Sequence, residues 1–130
     1  MNEADNQPRG KLSIRTVAMP ADTNPGGKVF GGWVLSQMDL AGASAGKKYS
    51  NTLLVTVAIE AMEFISPIQV GDFVCCYTEI IKTGKTSVTV NIETWAVAPD
   101  EQCRRKVTEG VFVYVAVDKS YKPIPLKNLD

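Results

Sequence analysis

Asp22-Thr-Asn-Pro-Gly-Gly-Lys-Val-Phe-Gly-Gly-Trp-Val-Leu-Ser-Gln-Met-Asp39 runs a glycine-dense loop straight into a proline-free apolar stretch. That junction decides how the rest of the chain must fold. From Gly31 or Gly32 to about Tyr49 no proline interrupts the pattern, and the spacing predicts one long helix. Its second half, Ala41-Gly-Ala-Ser-Ala-Gly46, has poor intrinsic helix propensity, because each interior glycine costs about 1 kcal/mol relative to alanine. Such small residues make sense where a helix lies close against a sheet and bulk would not fit. Lys47 and Lys48 then suit the negative end of the helix dipole.

Around this helix the chain reads as strands. Residues 10–18 alternate, with Leu12, Ile14 and Thr16 against Ser13, Arg15 and Val17, as a first strand should. Residues 53–62 (Leu-Leu-Val-Thr-Val-Ala-Ile-Glu-Ala-Met) are nearly all apolar, which predicts a central strand buried on both faces. Ser66-Pro67 and Gly71-Asp72 mark turns. Residues 73–82 and 86–97 are β-rich runs flanking the tight hairpin Thr83-Gly-Lys85. Residues 98–102 form a polar loop, and residues 107–117 read as the last strand.

The order strand, helix, four strands predicts an α+β domain, with one long helix against a mainly antiparallel five-stranded sheet. Residues 1–9 read as an N-terminal tail, 10–118 as the domain and 119–130 as a C-terminal tail. One helix does not cover both faces of such a sheet. Strand faces such as Val88, Val90 and Ile92, or Phe112, Tyr114 and Ala116, are therefore expected to need burial elsewhere. Self-association is the expected source, and a homodimer the smallest assembly.

Composition narrows the chemistry. The chain has 130 residues, 14 basic and 14 acidic side chains and no histidine. Balanced charge supplies no overall basic field for nucleic acid. No apolar run approaches the roughly 20 residues of a membrane span. The polar first ten residues lack an apolar signal core, so a cytoplasmic location is expected. Cys75 and Cys76 are neighbours in a strand and poorly placed to bridge each other; reduced thiols used for packing are expected, with Cys103 at the surface. Without histidine, Ser-His-Asp and Cys-His mechanisms are excluded. Without Cys-x-x-Cys spacing a structural zinc is not expected. No metal or added cofactor is anticipated, and a general base would have to be a carboxylate or, less naturally, a lysine or tyrosine.

Asp39 is the carboxylate that stands out. On a helical wheel it shares a side with Gly32, Leu35, Ser36, Gly42, Ala43 and Gly46, and Gln37 is the only other long polar side chain between Gly31 and Gly46. A carboxylate at an exposed helix edge is the plain reading; an apolar setting argues that something uses it. Gly31-Gly32, at the helix start, offers unpaired N–H groups to a polarised oxygen, although a lone Gly-Gly is equally a flexible helix entry. Eight residues of helix separate Gly31 from Asp39 by about 12 Å. One small carbonyl carbon cannot meet both groups from the same helix. If they act together, two antiparallel helices must lie side by side, which again requires a homodimer.

The run from Asn24 to Asp39, with Val55-Thr-Val57, Phe64-Ile-Ser-Pro-Ile-Gln-Val-Gly-Asp-Phe-Val74 and Lys82-Thr-Gly-Lys-Thr-Ser87, resembles the hotdog-fold acyl-CoA thioesterases of the bacterial YciA type over about residues 10–126. The resemblance implies a central helix wrapped by the sheet, sheets joined edge to edge between protomers, and dimers assembling further into a hexamer, a trimer of dimers. It implies hydrolysis of short- to medium-chain acyl-CoA, with CoA entering only as part of the substrate. Asp39 matches the family's helical carboxylate, acting as nucleophile or general base. Gly31 matches the amide that polarises the thioester carbonyl, and Asn24 the side-chain amide of the preceding loop. Substrate contacts are implied at Gly32, Val55 and Thr56. At the nucleotide end they are implied at Lys82, Gly84, Lys85, Thr86 and Ser87, though that hairpin reads equally as a solvated turn. Arg104, heading the basic triplet Arg104-Arg-Lys106, offers the same chemistry, and a solvated strand start is its plainer reading. Some relatives carry a hydroxyl one turn past the carboxylate; here Ala43 holds that position and Ser44 is one residue out of register. Two other functions are compatible with such a fold. A hotdog dehydratase or hydratase generally relies on a histidine, which this chain lacks. A non-catalytic acyl-CoA-binding or sensing module usually comes with a DNA-binding segment, for which the residues before Gly10 are too few.

Overall fold

A computed structural model describes residues 7–100 and 104–127. Five strands, β1 (Lys11–Val17), β2 (Leu53–Phe64), β3 (Phe73–Thr83), β4 (Ser87–Val97) and β5 (Arg105–Val117), surround one long helix, α1 (Gly31–Tyr49). They form a single sheet in the order β1-β3-β4-β5-β2, and every neighbouring pair is antiparallel. The α+β architecture expected from the sequence, one helix held by a five-stranded antiparallel sheet, is the one observed.

The small residues of α1 do what their composition suggested. Val34, Met38, Ala41, Gly42 and Gly46 are the buried positions of the helix. A side chain at Gly42 would collide with Tyr114 and Ile92, and one at Gly46 with Leu54. Met38 and Ala41 pack in one cluster with Val74, Cys76, Val88, Val90, Ile92, Phe112 and Tyr114. Removing the Phe112 side chain from such a packed interior would cost about 3–5 kcal/mol. The helix stops at Ser50, whose extended backbone closes onto Gly46. Ser50 Oγ also accepts the Lys127 N–H at 2.7 Å.

Two expectations are overturned. Residues 53–62 do not form a central strand: β2 lies at the sheet edge, paired only with β5, and Leu53, Val57, Ile59 and Phe64 are exposed. A run rich in apolar residues reports that a strand gets buried somewhere, not that its own sheet buries it. Conversely, Val88, Val90, Ile92, Phe112, Tyr114 and Ala116 need no outside cover, being fully buried within the protomer. Alternation puts them on the face that α1 covers. What the chain leaves open is the β2 edge, where Ala61 sits at φ 52° in a bulge between Glu60 and Glu63; Leu40 on the helix, near Leu53, and Phe30 just before the helix are exposed as well.

The opposite face of β4 and β5 is more polar. Glu93 and Glu109 are cross-strand partners, an arrangement unfavourable for two like charges. Arg9 pairs with both, and Lys106 reaches both. Trp95 Nε1 adds a hydrogen bond to Glu93 at 2.9 Å. The triplet expected to be a solvated strand start is therefore tied down: Lys106 joins this cluster, and Arg105 pairs with buried Asp72 while donating to the Pro67 carbonyl at 3.1 Å. Cys75 and Cys76 are free and buried, and burial raises both thiols above their ordinary value, Cys76 to about 11. Cys103 lies outside the described residues, as do 1–6 of the expected N-terminal tail. Residues 119–127, read from the sequence as a tail, run along the sheet end. Ile124 N–H donates to Ala116 and Leu126 N–H to Lys85.

Candidate active site

Asp39 lies at the third turn of α1, half-buried, with its side chain against the sheet. Thr56 Oγ1 on β2 donates to Asp39 Oδ1 at 2.7 Å. Tyr114 on β5 comes from beneath, its hydroxyl 3.1 Å from the same oxygen and 3.0 Å from the Asp39 carbonyl. Thr56 and Tyr114 are themselves cross-strand partners, so the sheet register brings both hydroxyls to one carboxylate oxygen. Asp39 Oδ2 has no partner among the described residues. Burial first, then the Asp39 charge and hydrogen bond, push the Tyr114 phenol far above its ordinary value. Tyr114 is a neutral donor at any working pH.

Gly31 is found at the other end of the helix's exposed flank. No side chain caps the start of α1, and its first N–H groups have no intrahelical acceptor. The Phe64 ring stands 3.4 Å from where a Cβ on Gly31 would be. A cavity of about 340 Å³ opens there, bounded by Val29, Gly31, Val34, Phe64 and Ile68. A second, of about 400 Å³, lies one turn beyond Asp39 between Leu40, Ala43, Lys47 and Leu53. Within one chain the Gly31 cleft does not include Asp39, from which about 12 Å of helix separates it. Asn24 shapes the approach to Gly31: its Oδ1 accepts N–H groups from Gly26 at 2.9 Å and Lys28 at 3.2 Å. The amide oxygen is occupied in folding its own loop.

A thioesterase superfamily profile matches residues 26–103. The chain belongs to the thioesterase superfamily. The acyl-CoA thioester hydrolase YciA of Salmonella typhimurium is 51% identical over 130 residues, covering 97% of each chain. The hexameric thioesterase y2039 of Yersinia pestis superposes with a TM-score of 0.88 at 49% identity, covering 94% of this chain and 100% of that one. The hexameric broad specificity acyl-coenzyme A thioesterase HI0827 gives a TM-score of 0.89 at 42% identity, over 95% of this chain and 86% of that one.

In this thioesterase-superfamily chain the remaining residues singled out from the sequence do not all come together. Thr83, Val88, Tyr114 and Thr56 follow one another as partners across four strands. The base of the 82–87 hairpin therefore lies in the same row as the Asp39 partners, about 14 Å across the sheet. Lys82, Gly84 and Lys85 are exposed, and Thr86 and Ser87 half-buried. Gly84 closes the turn by donating to the Ser87 carbonyl at 2.8 Å. Val55 precedes Thr56 on β2, and Gly32 follows Gly31 on the open helix start. Arg104 does not join the hairpin: it stands just before β5 and donates to Gln7 at 3.3 Å, about 33 Å along β5 from the hairpin end. Tyr114 is the residue that sequence reasoning missed as part of the site. It sits 75 positions from Asp39, beyond the matched superfamily region, in a run that reads as plain strand. Only the small residue at Gly42 hinted that something large approaches the helix there.

Proposed function

We propose that this protein is an acyl-CoA thioesterase that hydrolyses short- to medium-chain acyl-CoA to the free acid and CoA, using Asp39. The observation that carries the reading is a carboxylate fixed through Oδ1 and, among the described residues, unpartnered at Oδ2, in a chain with no histidine to serve instead. In the general-base form, Asp39 takes a proton from water as the water oxygen bonds to the thioester carbon. The carbonyl oxygen becomes negative, and an N–H aimed at it lowers the barrier. The C–S bond then breaks, and the CoA sulfur leaves as thiolate and is protonated. In the nucleophilic form, an Asp39 oxygen bonds to the thioester carbon, and the C–S bond breaks as CoA thiolate leaves and is protonated. Water then cleaves the resulting anhydride to the free acid and the Asp39 carboxylate. Neither form calls for a metal or an added cofactor.

The aimed N–H is assigned to Gly31 of a second copy. Two helices running antiparallel across the open β2 edges would place the Gly31 cleft of one protomer against the Asp39 of the other, and the exposed apolar residues there supply the interface. The dimers are proposed to assemble as a trimer of dimers, in line with the hexameric relatives. Lys82 and Lys85, with the hydroxyls and glycine of their turn, are assigned to the CoA phosphates. A cytoplasmic enzyme suits two buried free thiols.

Thiol release from a panel of acyl-CoA esters, with and without chelator, tests the activity. Release that survives chelation is expected; no release at any chain length would leave a non-catalytic acyl-CoA-binding protein. Mixing Asp39→Ala and Asn24→Ala subunits tests the shared site, because a mixed dimer rebuilds one intact site. Failure to complement, with mixed dimers shown to form, would place each site within one protomer.

A further inference from the structure

Tyr114 and Thr56 touch Asp39 in a way that simple packing does not require. Both hydroxyls converge on Oδ1, the first from a fully buried position on β5 and the second from the exposed edge strand. A hydroxyl has one proton to give, so Tyr114 divides a single donation between the Asp39 carbonyl and Oδ1. The ring itself has little freedom: it stacks on Phe112 with centroids 6.4 Å apart, and the absence of a side chain at Gly42 makes the room for its hydroxyl. A terminal carboxylate torsion is otherwise soft. Two donors on one oxygen restrain the group through Oδ1, and Oδ2 has no partner among the described residues.

We propose that Tyr114 and Thr56 are positioning residues that orient the Asp39 carboxylate, committing Oδ1 to the protein and reserving Oδ2 for the reacting water or thioester carbon. The inference rests on the catalytic reading of Asp39 and adds to it a division of labour between the two oxygens. Rate is sensitive to such alignment, since reacting groups must be held close to the attack geometry before the barrier is crossed. A donor that acts only on orientation alters turnover and leaves ground-state substrate binding alone. It also has nothing to act on once the carboxylate is gone.

The experiment is a kinetic cycle on the intact assembled protein with an acyl-CoA substrate. Tyr114→Phe keeps the ring and its stacking, and is expected to lower kcat roughly tenfold or more with KM within about twofold. Thr56→Val should lower kcat several-fold, and Thr56→Ser, which restores the hydroxyl, should recover most of it. The deciding arm is the double variant: Tyr114→Phe added to Asp39→Asn should cause no further loss beyond Asp39→Asn alone. If Tyr114→Phe retains wild-type kcat, or lowers the residual rate of Asp39→Asn by the same factor as in wild type, the positioning role is overturned while the catalytic reading of Asp39 stands. If Asp39→Asn itself turns over normally, that reading falls and takes this inference with it. A Tyr114→Phe protein that fails to assemble hands the decision to Thr56: Val and Ser variants of equal kcat would overturn the proposal.

Discussion

The Tyr114 hydroxyl occupies the space that a side chain at residue 42 would fill. Gly42 lies in the buried face of α1 directly over β5, and helix and strand approach as closely as they do because neither carries anything more there. Gly42→Ala gains helix propensity, about 1 kcal/mol, and loses it again to overpacking, which typically costs 1–3 kcal/mol. The collision is with a buried ring held by Phe112, so the steric loss is expected to win. Denaturant unfolding should show a net destabilisation, and turnover should fall further than stability alone explains. A variant as stable and active as wild type would mean that the ring yields freely.

Asp39→Asn should leave assembly and CoA binding intact while lowering kcat by 10²–10⁴-fold, the usual cost of losing a general base. Asn matches Asp in size and still accepts from Thr56 and Tyr114. Its other terminal atom donates rather than accepts, so it neither takes a proton from water nor attacks a carbonyl. Steady-state kinetics beside a size measurement separates this from misfolding. Turnover within a few-fold of wild type would defeat the mechanism.

Replacing Lys82 and Lys85 by Ala should raise KM for CoA esters with little change in kcat, and the penalty should shrink as salt rises. Both lysines are exposed, so their loss should not disturb the fold. A truncated substrate carrying only the pantetheine arm has no nucleotide phosphates and should not register the change. Equal losses on both substrates would reduce the hairpin to a structural turn.

Acid should loosen the Glu93–Glu109 face. Burial pushes the Glu109 carboxyl up, but the Lys106 hydrogen bond and charge, together with Arg9, bring it below the ordinary carboxylate value. Its folded value is therefore the lower of the two. The stabilisation is fully present above the ordinary carboxylate range, and is lost as pH falls through the depressed value. Glu109→Gln should be less stable than wild type at neutral pH, with the gap closing in acid; chemical unfolding at several pH values checks this. A gap independent of pH would show that the Glu109 charge does not contribute.

The helix was legible because its constraints are local. A proline-free run, a glycine entry and a small-residue second half point to α1 and to its tight seat on the sheet without any knowledge of what it packs against. Asp39 was legible because a lone carboxylate among small residues is conspicuous. Its partners were not: the pairing of Thr56 with Tyr114 follows from strand order and register, and no local pattern records that β5 lies between β4 and β2. The same ignorance of strand order sent residues 53–62 to the centre of the sheet and left Val88 and Phe112 without cover. Periodicity tells which side of a strand is apolar, and only topology tells which side the helix takes.

The open flank of β2 bears on how such a chain is made. Leu53, Val57, Ile59 and Phe64 stand exposed beside a row of backbone groups with no neighbouring strand. That is a surface on which any extended polypeptide can add itself. If a sister chain covers this flank, as proposed above, a newly finished chain is prone to wrong pairing until one arrives, and the yield of usable protein depends on how soon sisters meet. Substitutions that blunt this flank with charge would make the lone chain safer to handle, at the expense of the proposed self-association.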